Sequence, residues 1–121
     1  MGRWRIFQLD DAYDAFWRDV NPGQQRALDA YLDLLCERGN MLSAEGGKSP
    51  PMIGHGNLFE LHPQNMRVFY CFLPDRAIVI LFGVLKDQRK LRKEIIARVV
   101  GLRDEVLRLG TPEWQRLSPL N

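Results

Sequence analysis

Three short apolar runs follow one another between residues 58 and 84, and their spacing constrains the fold more than any other feature of the chain. The runs read LFEL, MRVFYCFL and RAIVILFGV, and the last two are rich in the β-branched and aromatic residues that favour strands. Only the turn-forming residues HPQN and PD separate them. Because parallel neighbours need a crossover of about a dozen residues or more, these short connections predict two antiparallel hairpins.

The N-terminal part carries a strand pattern followed by two helical patterns. Residues 4–9 alternate as a strand does, and the next acidic residues, Asp10 or Asp11, can cap a first helix from about Ala12. A second helix is predicted from Pro22 to Arg38, because proline suits the first turn. Apolar residues recur at helical spacing in both segments.

The remaining segments read as a loop, a third helix and a tail. Residues 43–56 contain six glycines and prolines, which predicts a loop. A long helix is predicted from about Asp87 to Leu109, with Gly110 as its C-cap. We expect the last residues, 118–121, to fray.

This order of elements predicts an α+β fold, in which two N-terminal helices lie on one face of a small antiparallel sheet and a C-terminal helix follows. The length of 121 residues fits one domain, which we place at residues 1–110, with residues 111–121 as a short C-terminal extension.

Charge is distributed unevenly although the net charge is only +2. Residues 10–45 hold eight acidic residues against three arginines, a net −5. Residues 86–98 hold six basic residues against two acidic ones, a net +4. The basic segment is a candidate polyanion surface. The alternative is that both segments are solvated helix faces.

Several functional classes find no support in the sequence. Cys36 and Cys71 lie in apolar periodic segments and read as buried thiols of a reducing compartment, and the histidines and cysteines lack zinc-ligand spacing. The piece GGKS lacks the first glycine of a phosphate-binding loop, since Leu42 stands there. No apolar run reaches the ~18 residues of a membrane span, and the N-terminus lacks a signal core, so we expect a cytoplasmic protein with no membrane contact.

Arg67 is the most unusual residue of the predicted sheet. It lies inside the apolar run MRVFYCFL, where a charge costs free energy unless it faces water or an anion. Strand alternation puts Arg67, Phe69 and Cys71 on one face, and the polar residues of the preceding run, Glu60 and His62, can meet Arg67 there.

The segments FELHPQNMRVFY and AIVILFGVLKDQRK resemble the RelE/ParE superfamily of toxin–antitoxin toxins, most closely its phage-type HigB branch. Glu60-Leu61-His62 falls where that branch has E-L-R, and Arg67-Val68-Phe69-Tyr70 matches its R-V-F-Y motif. Lys86 falls on the first lysine of the lysine pair in that branch, and Lys90 falls on its later lysine. The resemblance covers residues 3–105 in the order of elements.

The resemblance implies a ribosome-dependent mRNA endonuclease that inhibits translation. In that chemistry a 2′-hydroxyl attacks the adjacent phosphate, and neither a metal nor another cofactor takes part. The implied partners are mRNA, the ribosome and a cognate antitoxin, HigA-like with a helix-turn-helix. Operator DNA would be bound only through the toxin–antitoxin complex.

The reaction needs a cation at the phosphate and groups that move protons, and the resemblance implies which residues supply them. Arg67 suits the phosphate because guanidinium binds phosphate oxygens in a bidentate manner. His62 is the candidate acid or base, since its ordinary pKa is near neutrality. Lys86 completes the catalytic set, and contacts to the RNA backbone are expected from four further residues: Arg89, Lys90, Arg92 and Lys93.

Departures from the family pattern keep alternatives open. His62 replaces an arginine, Phe82 a frequent histidine, and Asp87 the second lysine. Glu60 is either a base or a structural partner of Arg67, and His62 is either catalytic or a turn residue. Phe69 and Tyr70 either stack on a base or belong to the core, and His55 is a weaker acid–base candidate. A non-nuclease toxin of the same fold, for example one directed at gyrase, and an unrelated α+β interaction module are the alternative functions.

Overall fold

The computed structural model describes residues 3–44, 55–86 and 92–121. The expected α+β fold is confirmed: within these described ranges, three α-helices accompany a five-stranded sheet. In chain order the elements are β1 (Arg5–Leu9), α1 (Ala12–Asp19), α2 (Pro22–Arg38), a 3-10 helix (Gly39–Ala44), β2 (Phe59–Leu61), β3 (Met66–Leu73), β4 (Ala77–Leu85), α3 (Arg92–Leu109) and β5 (Leu117–Pro119). Most of the predicted loop and the first residues of the predicted third helix lie outside the described residues.

The sheet has the strand order β2-β3-β4-β1-β5. The two predicted hairpins are confirmed, because β2 with β3 and β3 with β4 pair antiparallel. β1 runs parallel to β4, with Ile6 opposite Ile78, and β5 pairs antiparallel with β1. The sheet is therefore mixed rather than wholly antiparallel as expected, and β1 lies between the central strand β4 and the edge strand β5. α1 and α2 carry the chain from β1 back across one face of the sheet.

Helices cover both faces of the sheet, which gives two cores. Residues of α1 and α2 pack on the face that contains Val68 and Tyr70. Residues of α3 pack on the face that contains Phe69 and Cys71, as strand alternation predicts. Gly83 lets α1 approach the sheet, because a Cβ atom there would come within 2.4 Å of the Phe16 ring.

A bulge interrupts the pairing of β3 with β4. Phe69 is opposite Phe82, whereas Tyr70 is opposite Ile80, so Leu81 is the extra residue of β4. Leu81 and Phe82 consequently both contribute to the α3 side of the sheet.

The predicted start of α2 at Pro22 is confirmed, whereas the predicted side-chain cap of α1 is wrong. Asn21 and Gln24 form a capping box with Pro22 between them. Asp11 occupies the N-cap position of α1, but its side chain makes no capping hydrogen bond. The Oε1 atom of Gln8 accepts the N–H groups of Tyr13 and Asp14 instead. The buried end of β1 thus supplies the cap, which local sequence rules do not anticipate.

The expectation that residues 118–121 fray is wrong. Leu117 pairs with Leu9 and Pro119 with Phe7 in the sheet. The Asn121 side chain accepts the N–H of Ile6 and donates to the carbonyl oxygen of Trp4. β5 has only three residues and contains a proline, so nothing in its local pattern marks it as a strand.

The C-terminal end of α3 agrees with the sequence, because the N–H of Gly110 donates to the carbonyl oxygen of Val106. Across the three described ranges, none of the helices has both the length and the apolar character needed to cross a membrane.

Candidate functional site

A buried carboxylate on β2 lies at the centre of the candidate site. The Glu60 side chain is only 4% exposed, yet three basic side chains lie within 4 Å of its oxygens. They belong to His62 after β2, Arg67 on β3 and Arg92 at the start of α3. Together with Lys86, these residues are called the Glu60 cluster below.

Arg67 makes the shortest contact of the cluster. Its Nη1 atom donates to Glu60 Oε2 at 2.6 Å. The sheet register explains the pair, because Glu60 is opposite Phe69, and Arg67 lies two residues along on the same face. The Arg67 side chain remains 28% exposed, so it is paired and still accessible from solvent.

Arg92 approaches the same carboxylate from the other side. It is the first residue of α3, and its Nη2 atom lies 3.6 Å from Glu60 Oε1. Its side chain is 54% exposed. The two oxygens of Glu60 therefore face two arginines from different elements.

His62 lies at the rim of the cluster, with Nε2 3.4 Å from Glu60 Oε2. Its pKa is lowered below the usual 6.5, mainly because partial burial disfavours the charged ring. The Glu60 carboxylate acts in the opposite direction, and the charges of Lys86, Arg67 and Arg92 add to the lowering. His62 is consequently neutral near pH 7 and able to accept a proton.

Lys86 follows β4 at the same end of the sheet. Its backbone N–H donates to the carbonyl oxygen of Asn65, which extends the pairing of β3 with β4 by one hydrogen bond at the open end of the hairpin. Its side chain is exposed, and its charge is close enough to lower the pKa of His62.

The cluster has a surplus of positive charge. Arg67 and Arg92 contact the one carboxylate, and the positive charge of Lys86 is close enough to act on His62. Such a site can bind a phosphate through exposed guanidinium groups and can place a neutral imidazole beside it. The three predicted catalytic residues, Arg67, His62 and Lys86, are thus brought together.

The predicted RNA-backbone residues divide into two groups. Arg92 joins the cluster, and Lys93 is exposed in the first turn of α3. Arg89 and Lys90 lie outside the described residues.

Other candidates from the sequence are core residues. Phe69 and Tyr70 are fully buried, so neither ring is open to a nucleobase. Cys71 is also buried, and burial raises the pKa of its thiol to about 12, which removes it as a nucleophile. His55 is half-buried beside Gly56, whose carbonyl oxygen accepts a hydrogen bond from Arg103.

The central position of Glu60 is the feature that the sequence left open. A lone acid in the run LFEL was a visible signal, since a buried carboxylate needs cationic partners. The convergence of Arg92 on Glu60 had no comparable signal.

A separate cavity of about 270 Å³ lies between α1, α3 and the end of β1. None of the predicted site residues that the structure describes contributes to its wall, which includes Asp11, Phe16, Phe82 and Arg98. We place the candidate site at the Glu60 cluster, because that is where cations and a titratable ring converge on one carboxylate.

Comparison with known families decides the affiliation of the chain. Residues 15–101 match the phage-derived protein Gp49-like family (DUF891). The chain belongs to this family. The match spans both hairpins and every residue of the Glu60 cluster. The family is RelE-like and toxin-like, which agrees with the resemblance at that level; the HigB-like branch stays a prediction. No curated protein matches the chain.

Proposed function

We propose that this Gp49-like protein is the toxin of a type II toxin–antitoxin system, of the HigB-like branch, and that it inhibits translation by cleaving ribosome-bound mRNA. The observation that carries this proposal is the convergence of Arg67, Arg92 and Lys86 with a neutral His62 at one end of the sheet. Membership of a toxin-like family also supports the proposal that the protein is a toxin.

In the proposed reaction Arg67 binds the scissile phosphate and stabilises the charge that develops on its oxygens. His62 accepts the proton of the attacking 2′-hydroxyl, since its lowered pKa keeps the ring neutral near pH 7. As the bond from the 2′-oxygen to phosphorus forms, the bond to the 5′-oxygen breaks, and Lys86 donates the proton that the leaving 5′-oxygen needs. The nucleophile and the leaving group both belong to the RNA.

The basic residues around α3 extend this site along the RNA. Arg92 and Lys93 are exposed at the start of the helix, and Arg89 and Lys90 precede them in the chain. Positive charge at a helix N-terminus opposes the helix dipole by about 0.3–1 kcal/mol per residue, and a bound polyanion offsets that cost. We assign these four residues to the RNA backbone or to ribosomal RNA.

A toxin of this kind needs a neutralising partner. We propose a cognate antitoxin, HigA-like with a helix-turn-helix, that binds operator DNA as a complex with this protein. The expected compartment is the cytoplasm, where mRNA and ribosomes are found.

The test is induced expression in a bacterial host with growth followed and mRNA ends mapped by primer extension. Wild type is compared with Arg67→Ala and with Arg26→Ala, which removes an exposed arginine of α2. We expect growth arrest and new mRNA ends for wild type and Arg26→Ala, and neither for Arg67→Ala. Arrest by a soluble, folded Arg67→Ala variant would overturn the site assignment.

One observation favours a second candidate, a toxin of the same fold without nuclease activity. The Nη1 atom of Arg67 already donates to Glu60, so part of its hydrogen-bonding capacity is used inside the protein. Growth arrest of the wild type without new mRNA ends would support this alternative and direct the search to another target, such as gyrase.

A further inference from the structure

Glu60 contacts groups from three parts of the fold, although its own carboxylate is closed to solvent. We propose that Glu60 is a positioning residue, which holds Arg67 of β3 and Arg92 of α3 around one point and thereby creates the phosphate-binding geometry of the site. The catalytic consequence rests on the proposed function, whereas the binding consequence is independent of it.

The contacts divide between the two oxygens of the carboxylate. Oε2 accepts from Arg67 Nη1 at 2.6 Å and lies 3.4 Å from His62 Nε2. Oε1 lies 3.6 Å from Arg92 Nη2. Two guanidinium groups this close to one another repel, and a carboxylate between them offsets the repulsion. Without that charge, the half-exposed Arg92 loses the ion pair that holds its side chain at the sheet.

Burial separates positioning from catalysis. The Glu60 side chain is 4% exposed, whereas the side chains of Arg67, Arg92 and His62 that contact it are 28%, 54% and 30% exposed. The carboxylate is therefore not open to an RNA 2′-hydroxyl, whereas Arg67 and Arg92 keep exposed surface on which a phosphate can bind. Glu60 acts on a bound anion through the groups that it orients.

Two roles of Glu60 predict opposite results for the isosteric variant Glu60→Gln. If the carboxylate only neutralises charge, its removal increases the positive surplus and tightens anion binding. If it positions the arginines, binding weakens, because glutamine offers one acceptor oxygen and turns an NH₂ donor toward the second guanidinium. We expect weaker binding, by about fivefold to tenfold.

The experiment measures the affinity of purified protein for inorganic phosphate by titration calorimetry. Glu105→Gln is the matched control, because Glu105 lies on α3 and contacts Arg116 outside the cluster. The control should bind phosphate like wild type. Unchanged or tighter binding by folded Glu60→Gln would overturn the proposal.

The titration of His62 gives a second readout that needs no RNA. The chain has two histidines, so a His55→Gln background leaves one imidazole to follow by NMR. Glu60 raises the pKa of His62 against the effects of burial and of Lys86, Arg67 and Arg92. In Glu60→Gln this pKa should therefore fall further. An unchanged value would show that Glu60 does not contact His62 in solution.

If Glu60→Gln fails to fold, Arg92→Gln tests the same arrangement from the side of α3. Arg92 is exposed, and its loss leaves Arg67 beside Glu60. We expect weaker phosphate binding, and wild-type affinity would overturn the role of α3. If the variants bind phosphate more weakly as expected but mRNA stays intact in the expression experiment, the positioning role of Glu60 is supported and the proposed nuclease activity is rejected.

Discussion

Two ionic clusters lie at different places in this molecule and differ in their balance of charge. In the Glu60 cluster one buried carboxylate contacts two arginines, and Lys86 adds a third positive charge nearby. In the second, called the Arg116 cluster, one arginine binds two partly exposed carboxylates, Asp10 and Glu105. Arg116 donates from Nε and Nη2 to the two oxygens of Asp10 at 3.0 and 2.8 Å, and from Nη1 to Glu105.

The difference shows why a count of ion pairs says little about function. The Arg116 cluster connects the end of β1, α3 and the residue before β5. Its arginine binds Asp10 in a bidentate manner and donates one further hydrogen bond to Glu105. It leaves no cation for a ligand. The Glu60 cluster keeps a surplus of positive charge on exposed side chains, which is what a phosphate needs. The burial of the carboxylate and the ratio of basic to acidic side chains distinguish a structural cluster from a candidate site.

The sharpest test of this comparison removes one arginine from each cluster. Arg67→Ala should lower RNA cleavage by about 10²–10³-fold, because a donor to the developing charge is lost. Arg116→Ala should keep the wild-type rate and lose some stability instead. Equal loss of cleavage in two folded variants would remove the functional distinction between the clusters.

The next effect concerns His62 and pH. As a base His62 must be neutral, so the wild-type rate should fall about tenfold per pH unit below its pKa, which lies under 6.5. His62→Gln should be slower by about 10²-fold, and the decrease in rate at low pH, which is the acid limb of the profile, should disappear. A pH–rate profile of both proteins makes the measurement, and an unchanged acid limb in the variant would assign the proton transfer elsewhere.

A smaller effect separates the clusters by their response to salt. If Arg67, Lys86 and Arg92 form three ion pairs with single-stranded RNA, affinity should fall about tenfold to twentyfold between 50 and 200 mM salt. Fluorescence anisotropy with a non-cleavable oligonucleotide measures this slope. Arg67→Ala should reduce the slope, and Arg116→Ala should leave it unchanged. A slope that falls only in Arg116→Ala would place the RNA at the Arg116 cluster and contradict the proposal.

The smallest expected effect is on stability at low pH. The hydrogen bond from Arg116 holds the pKa of Asp10 below its usual 3.8. A depressed carboxyl pKa contributes stability above the unfolded value, and the contribution is lost as pH falls through the folded value. Arg116→Gln should therefore be slightly less stable than wild type at pH 7, and the difference should close as pH falls through the folded pKa of Asp10, which lies below 3.8. Urea unfolding at several pH values measures the difference, and a gap that widens in acid would contradict this assignment.

Local signals predicted the elements that local physics controls. The hairpins followed from two short turns, and α2 followed from Pro22 in its first turn and from its apolar stripe. The alternation in β3 correctly predicted that Arg67 shares a face with Phe69. Elements whose stability comes from distant contacts were missed, as β5 was, since its three residues depend on pairing with β1.

The sequence by itself determined the α+β order of elements, the face of Arg67 and the basic composition of residues 86–98. These properties depend on side-chain period, turn chemistry and charge, which neighbouring residues specify. Only the tertiary structure decided that Glu60 is buried among cations and that Arg92 reaches it. The reason is that β2, β3 and α3 meet only when α3 packs across the sheet, and no local pattern encodes the partner of a buried charge.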